Sequence, residues 1–304
     1  MSASILPCDL AAGGISAKGA HEGASRAPSS DALLQRAFGE ARITVSGRDR
    51  PRIGELYQKS PARILTPRID GRAGAEIVFV NTSGGVAGGD VMRYSVGASG
   101  GAQARVTTQA AEKIYRALDR TAVLENRIRA DGEAAVEWLP QSSIVFDGAR
   151  LARRTEIDVA RGARVLAFDS IVLGRAAHGE TVRSGAVRDD WRVRRDGRLV
   201  WADAFRLTSD IAAQTSRPAL LGGHRAFASF LYAADECEVW LEPARELIAG
   251  CGGAARIGAV NGLLVGRFLA DSAHELMDAA GRFIAGFREM TGAVGPWPPA
   301  MWRC

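Results

Sequence analysis

The sequence predicts a mostly β protein: a β-helix-like body of stacked strands, with two α-helices in its C-terminal part. A glycine turn followed by a short strand of small and apolar residues recurs at Gly74, Gly101, Gly132, Gly162 and Gly197, at spacings of 27, 31, 30 and 35 residues. Through this stretch helical periodicity is almost absent, and it returns only in the last hundred residues. A coil of about thirty residues cannot bury its own apolar face, so coils of that period stack into one continuous core. An ordinary antiparallel sandwich with glycine turns would share many of the same strands, but the even recurrence favours stacked coils.

Taken in order, residues 1–30 are rich in Ala, Gly and Ser and poor in large apolar side chains, which predicts a disordered tail. Residues 31–304 read as a single domain, with a β body over 33–235 and a helix-hairpin-helix segment over 236–304. Asn81-Thr82-Ser83-Gly84-Gly85-Val86-Ala87-Gly88-Gly89-Asp90 is the most glycine-dense run of the body. It lacks the lysine and the helix start of a Walker loop, and the alternating Val91–Val96 that follows reads as a strand. The run is therefore a tight turn that presents Asp90. In the C-terminal part, Pro243 near the start and Gly250 at the end delimit a short helix from Glu242. Asn261-Gly262 is the dipeptide best suited to a type I′ hairpin turn between strands spanning Ala254 to Ala270. Asp271 or Ser272 then caps a helix whose Leu276, Ala279, Ala280, Phe283, Ile284 and Phe287 recur at three and four spacing.

The chain has 304 residues, 47% hydrophobic and 24% charged, enough to bury a sizeable core. No apolar run is long enough to span a membrane and no secretory leader is evident; Ile5-Leu6-Pro7-Cys8 only faintly resembles a lipoprotein site, so a cytoplasmic location is expected. The net charge of +5 arises almost wholly from arginine, since lysine occurs only at positions 18, 59 and 113. The arginines are spread out rather than gathered with stacking aromatics, which argues against nucleic acid; Arg192, Arg194 and Arg195 are the densest group. Cys8, Cys237, Cys251 and Cys304, like His21, His178, His224 and His274, are scattered without metal-ligand spacing. No nucleophile motif is present either.

The carboxylates carry more information. Asp90, Glu137, Asp147, Asp169, Glu180 and Asp203 each sit beside a turn or within a strand. Asp169 follows Gly162 by seven residues and Asp203 follows Gly197 by six, which predicts similar heights on neighbouring coils. Such a pair could serve as general acid and base in a β-solenoid hydrolase, or as oxygen ligands for a passing cation. Turn capping is the plainer role for any single Asp. For Asp169 that role is strained, because Leu166, Phe168, Ile171 and Val172 surround it and a carboxylate there must be paired or hydrogen-bonded.

Several ordered motifs resemble the urease accessory protein UreD (UreH) family. They are Gly84-Gly85-Val86-Ala87-Gly88-Gly89-Asp90, Thr107-Thr108 through Lys113-Ile114-Tyr115-Arg116, and Glu137-Trp138-Leu139-Pro140-Gln141 with Phe146-Asp147-Gly148-Ala149. The last is Asp169-Ser170-Ile171-Val172-Leu173-Gly174-Arg175 with Gly179-Glu180. The similarity runs from about residue 40 to the C-terminus. It implies a non-enzymatic scaffold with a β-helix-like body and two helices. Implied partners are the helical protein UreF, through it the GTPase UreG, and apo-urease, whose carbamylated-lysine site receives nickel. It also implies that Ni²⁺ passes transiently, with no tightly bound cofactor, along acidic residues matching Asp90, Asp169 and Asp203, joined by Glu180. Two departures stand out: Thr82-Ser83 replaces a common Pro-Pro, and Glu112 occupies a position where small residues are usual. Weak oxygen ligands suit an ion that must be released. A pure assembly platform without metal contact is the other reading.

Overall fold

The computed structural model describes residues 36–67, 74–293 and 295–303. The expected tail over 1–30 and the start of the body near Leu33 lie outside the described residues. In chain order the strands are β1 (Phe38–Ser46), β2 (Arg52–Lys59), β3 (Ala62–Leu65), β4 (Ala75–Asn81), β5 (Val91–Ser99), β6 (Gln103–Thr108), β7 (Glu112–Ile114), β8 (Ala122–Ala130) and β9 (Ala135–Trp138). They continue as β10 (Ser143–Val145), β11 (Arg150–Val159), β12 (Arg164–Leu173), β13 (Ser184–Arg195), β14 (Arg198–Asp210), β15 (Ala226–Ala233), β16 (Ala254–Val260) and β17 (Leu263–Ala270). Helices are α1 (Ile211–Thr215), α2 (Leu241–Gly250) and α3 (Ala273–Met290).

The chain winds between two facing sheets. A seven-stranded sheet has the order β14-β13-β11-β8-β5-β1-β2, and the second sheet runs β16-β17-β15-β12-β9-β6-β4-β3, with β10 also pairing β12 and β7 pairing β10. Successive coils pair in parallel: Ala75 opposite Ala104, Gln103 opposite Ala135, and Ala135 opposite Arg164. These are the glycine-led strands of the thirty-residue recurrence, so four of its five copies are adjacent rungs of one sheet. The fifth behaves differently. Asp196 and Gly197 both have positive φ (49° and 77°) and close a two-residue hairpin, so β14 folds back antiparallel on β13 instead of crossing to the opposite sheet. Asp169 and Asp203 therefore lie on opposite sheets, not at matching heights on neighbouring coils.

Burial explains the two kinds of strand. β5 alternates between partly exposed and buried positions because one face of the seven-stranded sheet meets solvent. β12 and β15 are buried almost throughout because the second sheet is covered on both sides. Its inner face joins the inter-sheet core around Trp138, Ile157, Val165, Trp191 and Leu231. Its outer face packs Phe168, Phe230 and Phe268 against Ile248 of α2 and Phe283 and Phe287 of α3. The hairpin turns at Asn261 and Gly262 (φ 48° and 72°) and extends this sheet. Ser272 caps α3 by accepting a hydrogen bond from the Glu275 amide. The five-residue α1, capped by Asp210, has no counterpart in the sequence reading. After α3, residues 295–303 return across the second sheet and place Trp302 against Phe168.

Candidate functional site

The inter-sheet core is mostly apolar, with Asn126 hydrogen-bonded to Thr155 inside it and its buried charges gathered beside that pair. There, Arg153 from the inward phase of β11 lies between two carboxylates, Asp189 on β13 and Asp169 on β12, all three nearly excluded from solvent. Its Nε and Nη2 donate to both oxygens of Asp189 at 2.8 and 2.9 Å, and its Nη1 donates to Asp169 Oδ1. Trp191 Nε1 also donates to Asp189 (3.2 Å), while the Ser170 amide (2.9 Å) and Trp138 Nε1 (3.5 Å) donate to Asp169. With all three groups ionised, the buried cluster carries one negative charge in excess. Burial pushes the Asp169 carboxyl up to about 6, opposed by Arg153 and reinforced by Asp189.

Beside this cluster lies a cavity of about 30 Å³, room for about one or two water molecules. Asp169, Arg153, Glu112, Asn126, Thr108 and Ser143 face it, along with Gln141. Glu112 accepts from Asn81 Nδ2 at 2.9 Å, and burial pushes its carboxyl up to about 7 against that bond. The cavity thus combines two carboxyls of raised proton affinity with amide and hydroxyl oxygens, a donor set suited to water or a weakly held cation. Among the described residues no group of three or more His, Cys, Asp or Glu is placed to hold a metal ion tightly.

A polar seam continues from Asp169 toward the edge of the sandwich. Asp169, Ser229 and Arg267 are register partners across β12, β15 and β17 and so share a face. Arg267 donates to Ser229 through Nη1 and to Asp203 on β14 through Nη2, with Asp203 31% exposed. Arg267 thus joins Asp203 to Ser229, the register neighbour of Asp169. A hydrolase would need both carboxyls facing one open groove, and this arrangement offers no such pair.

The remaining expected site residues hold turns. Both Asp90 oxygens are engaged by amides, Oδ1 by Ala37 and Oδ2 by Ala87, each at 2.8 Å, which ties the glycine run to the start of β1. Gly85 fits there because a Cβ would lie 2.5 Å from the Tyr115 ring. Glu180 accepts from Arg175 Nε (2.8 Å) and from the amides of Arg175 and Asp147, and the Arg175 contacts hold its carboxyl down at about 2. Asp147 accepts in turn from the Arg183 and Ser184 amides. In the arginine group, Arg195 binds the Ala234 and Gly262 carbonyls.

Sequence reasoning missed Arg153 and Asp189. Each sits in a charged doublet, Arg153-Arg154 and Asp189-Asp190, that looks like a solvated surface pair. Strand phase is the signal that finds them: Leu151, Thr155 and Ile157 point inward on β11, as do Val187, Trp191 and Val193 on β13.

Among known proteins, a UreD from Xanthobacter autotrophicus is 44% identical over 258 residues, covering 84% of this chain and 89% of its own length. One from Azorhizobium caulinodans is 41% identical, covering 84% and 94%, and one from Rhizobium leguminosarum bv. trifolii is 42% identical, covering 86% and 96%. All three carry the name urease accessory protein UreD. The sequence profile described as UreD urease accessory protein matches residues 37–303, nearly all of the two-sheet body and its helices, and this chain belongs to that family.

Proposed function

We propose that the chain acts in urease maturation as a non-catalytic scaffold that joins UreF-like and UreG-like accessory proteins to apo-urease, and that Ni²⁺ crosses its interior by way of Asp169. The observation that carries this reading is the buried excess negative charge beside a polar cavity. Uncompensated charge in a low-dielectric core costs several kcal/mol, so such a cluster attracts a further positive charge. Oxygen donors without imidazole or thiolate bind Ni²⁺ weakly, as a conduit requires. Asp203 stands at the exposed end of the seam, while Asp90 and Glu180 keep the surrounding turns in place. Exposed Ile53, Leu56 and Tyr57 on β2 and Leu65 on β3 support docking of partners at the β2–β3 edge, the opposite edge of the seven-stranded sheet from Asp203 on β14. Among the described residues, no helix is long and apolar enough to cross a membrane.

Titrating Ni²⁺ into the protein held in complex with its UreF-like partner tests the reading. Wild type should bind weakly and Asp169→Asn should lose about tenfold or more in affinity. Equal affinity for the two would leave an assembly platform without metal contact.

A further inference from the structure

The cavity beside Asp169 lies on the inner side of the second sheet, and a groove of about 430 Å³ lies on the outer side of the same sheet, between α3 and the C-terminal segment. Gln141 lines both. A continuously paired ladder keeps strands under about 5 Å apart and leaves no hole, so a route across a sheet needs a break in pairing. The second sheet breaks here: β9 ends at Trp138, β10 begins at Ser143, and their neighbours β6 and β7 end at Thr108 and begin at Glu112. The backbone at the break is pinned by Leu139 N to Val106 O (2.8 Å), Gln141 N to Thr108 Oγ1 (2.9 Å) and Glu112 N to Ser142 O (3.0 Å). The Gln141 side chain is held on the groove side by one hydrogen bond, from Nε2 to the Met301 carbonyl at 2.5 Å. Trp302 anchors that segment through Nε1 to the Leu139 carbonyl (3.1 Å) and through ring contacts with Phe168 and Trp297.

We infer that Gln141 is a door between the α3 groove and the cavity beside Asp169, admitting water and small cations, and that the C-terminal segment latches this passage through Met301. This rests on the interior route proposed above and adds where it opens and what controls it. The door is one flexible side chain held by one neutral bond, while the backbone around it is fixed by several. The groove beyond is lined by His274, Met277 and Asp278 of α3 with Trp297, Pro298 and Trp302, and Asp278 is paired with Arg282. A partner that displaces the C-terminal segment would free Gln141.

The test is access, read without urease. In a chain whose four native cysteines are replaced by alanine, Ser143→Cys places a thiol in the cavity, with Thr108→Cys as a second reporter if the first does not fold. Ag⁺ is the probe, and the unreacted thiol is titrated after denaturation. Breaking the single hydrogen bond with Gln141→Ala should speed Ag⁺ capture up to about tenfold. Trp302→Ala should act in the same direction, Gln141→Trp should slow capture, and an exposed Ser216→Cys control should not change. Capture rates indifferent to Gln141 would overturn the door and leave the Asp169 reading to its own test. Conversely, if Gln141→Trp blocks capture while urease activation stays whole, the door stands and the nickel route falls.

Discussion

Arg153 and Asp189 form a two-bond fork across neighbouring strands β11 and β13, and the one guanidinium nitrogen that fork leaves over, Nη1, reaches to the opposite sheet and Asp169. The fork is the neutral, fully satisfied unit, and Asp169 is the surplus carboxylate. Removing Arg153 strands two buried charges, so Arg153→Met should cost about 3–5 kcal/mol in urea unfolding. Asp169→Asn keeps the fork and should cost less than about 2 kcal/mol. Combining the two should recover part of the Arg153→Met loss, because one stranded charge disappears.

Glu112 should give the protein a pH-dependent stability of unusual sign for a carboxylate. Burial raises its folded-state value from 4.5 to about 7, so between those values the folded chain keeps a proton that the unfolded chain has released. Stability from this group is therefore fully present below about pH 4.5, falls as pH rises through the window, and levels off above pH 7. The expected loss is about 3 kcal/mol, and Glu112→Gln should flatten it in denaturant melts taken across the window.

The glycine run should prove structural. Asp90→Ala forfeits two amide hydrogen bonds to a carboxylate and should cost about 2–4 kcal/mol. Gly85→Ala puts a methyl 2.5 Å from Tyr115 and 2.7 Å from the Lys113 carbonyl at φ 149°, and should cost about 2 kcal/mol or more. Thermal unfolding checks both, and neither variant should change Ni²⁺ affinity once folded.

Much of this fold is legible in the chain. The thirty-residue recurrence marks rungs of one sheet, Asn261-Gly262 marks a hairpin, and the spacing of Leu276 to Phe287 marks the helix face that packs on Phe230 and Phe268. The recurrence misleads only at Gly197, where Asp196 also takes positive φ and a hairpin returns the chain to its own sheet. The site is less legible. Asp169 shows itself as a charge in an apolar strand, but its partners come from two strands of the opposite sheet, and only the three-dimensional facing of the sheets brings them together. Asp90, the most conspicuous carboxylate in the sequence, owes its setting to a turn in which one backbone amide donates to each of its oxygens.

The most direct measurement is urease activation in cells that co-express apo-urease, the partner accessory proteins and either this chain or its Asp169→Asn variant, with complex formation followed by co-purification. The account predicts an intact complex and activation reduced about tenfold or more. An Asp169→Asn chain that assembles the same complex and activates urease as well as wild type would contradict it.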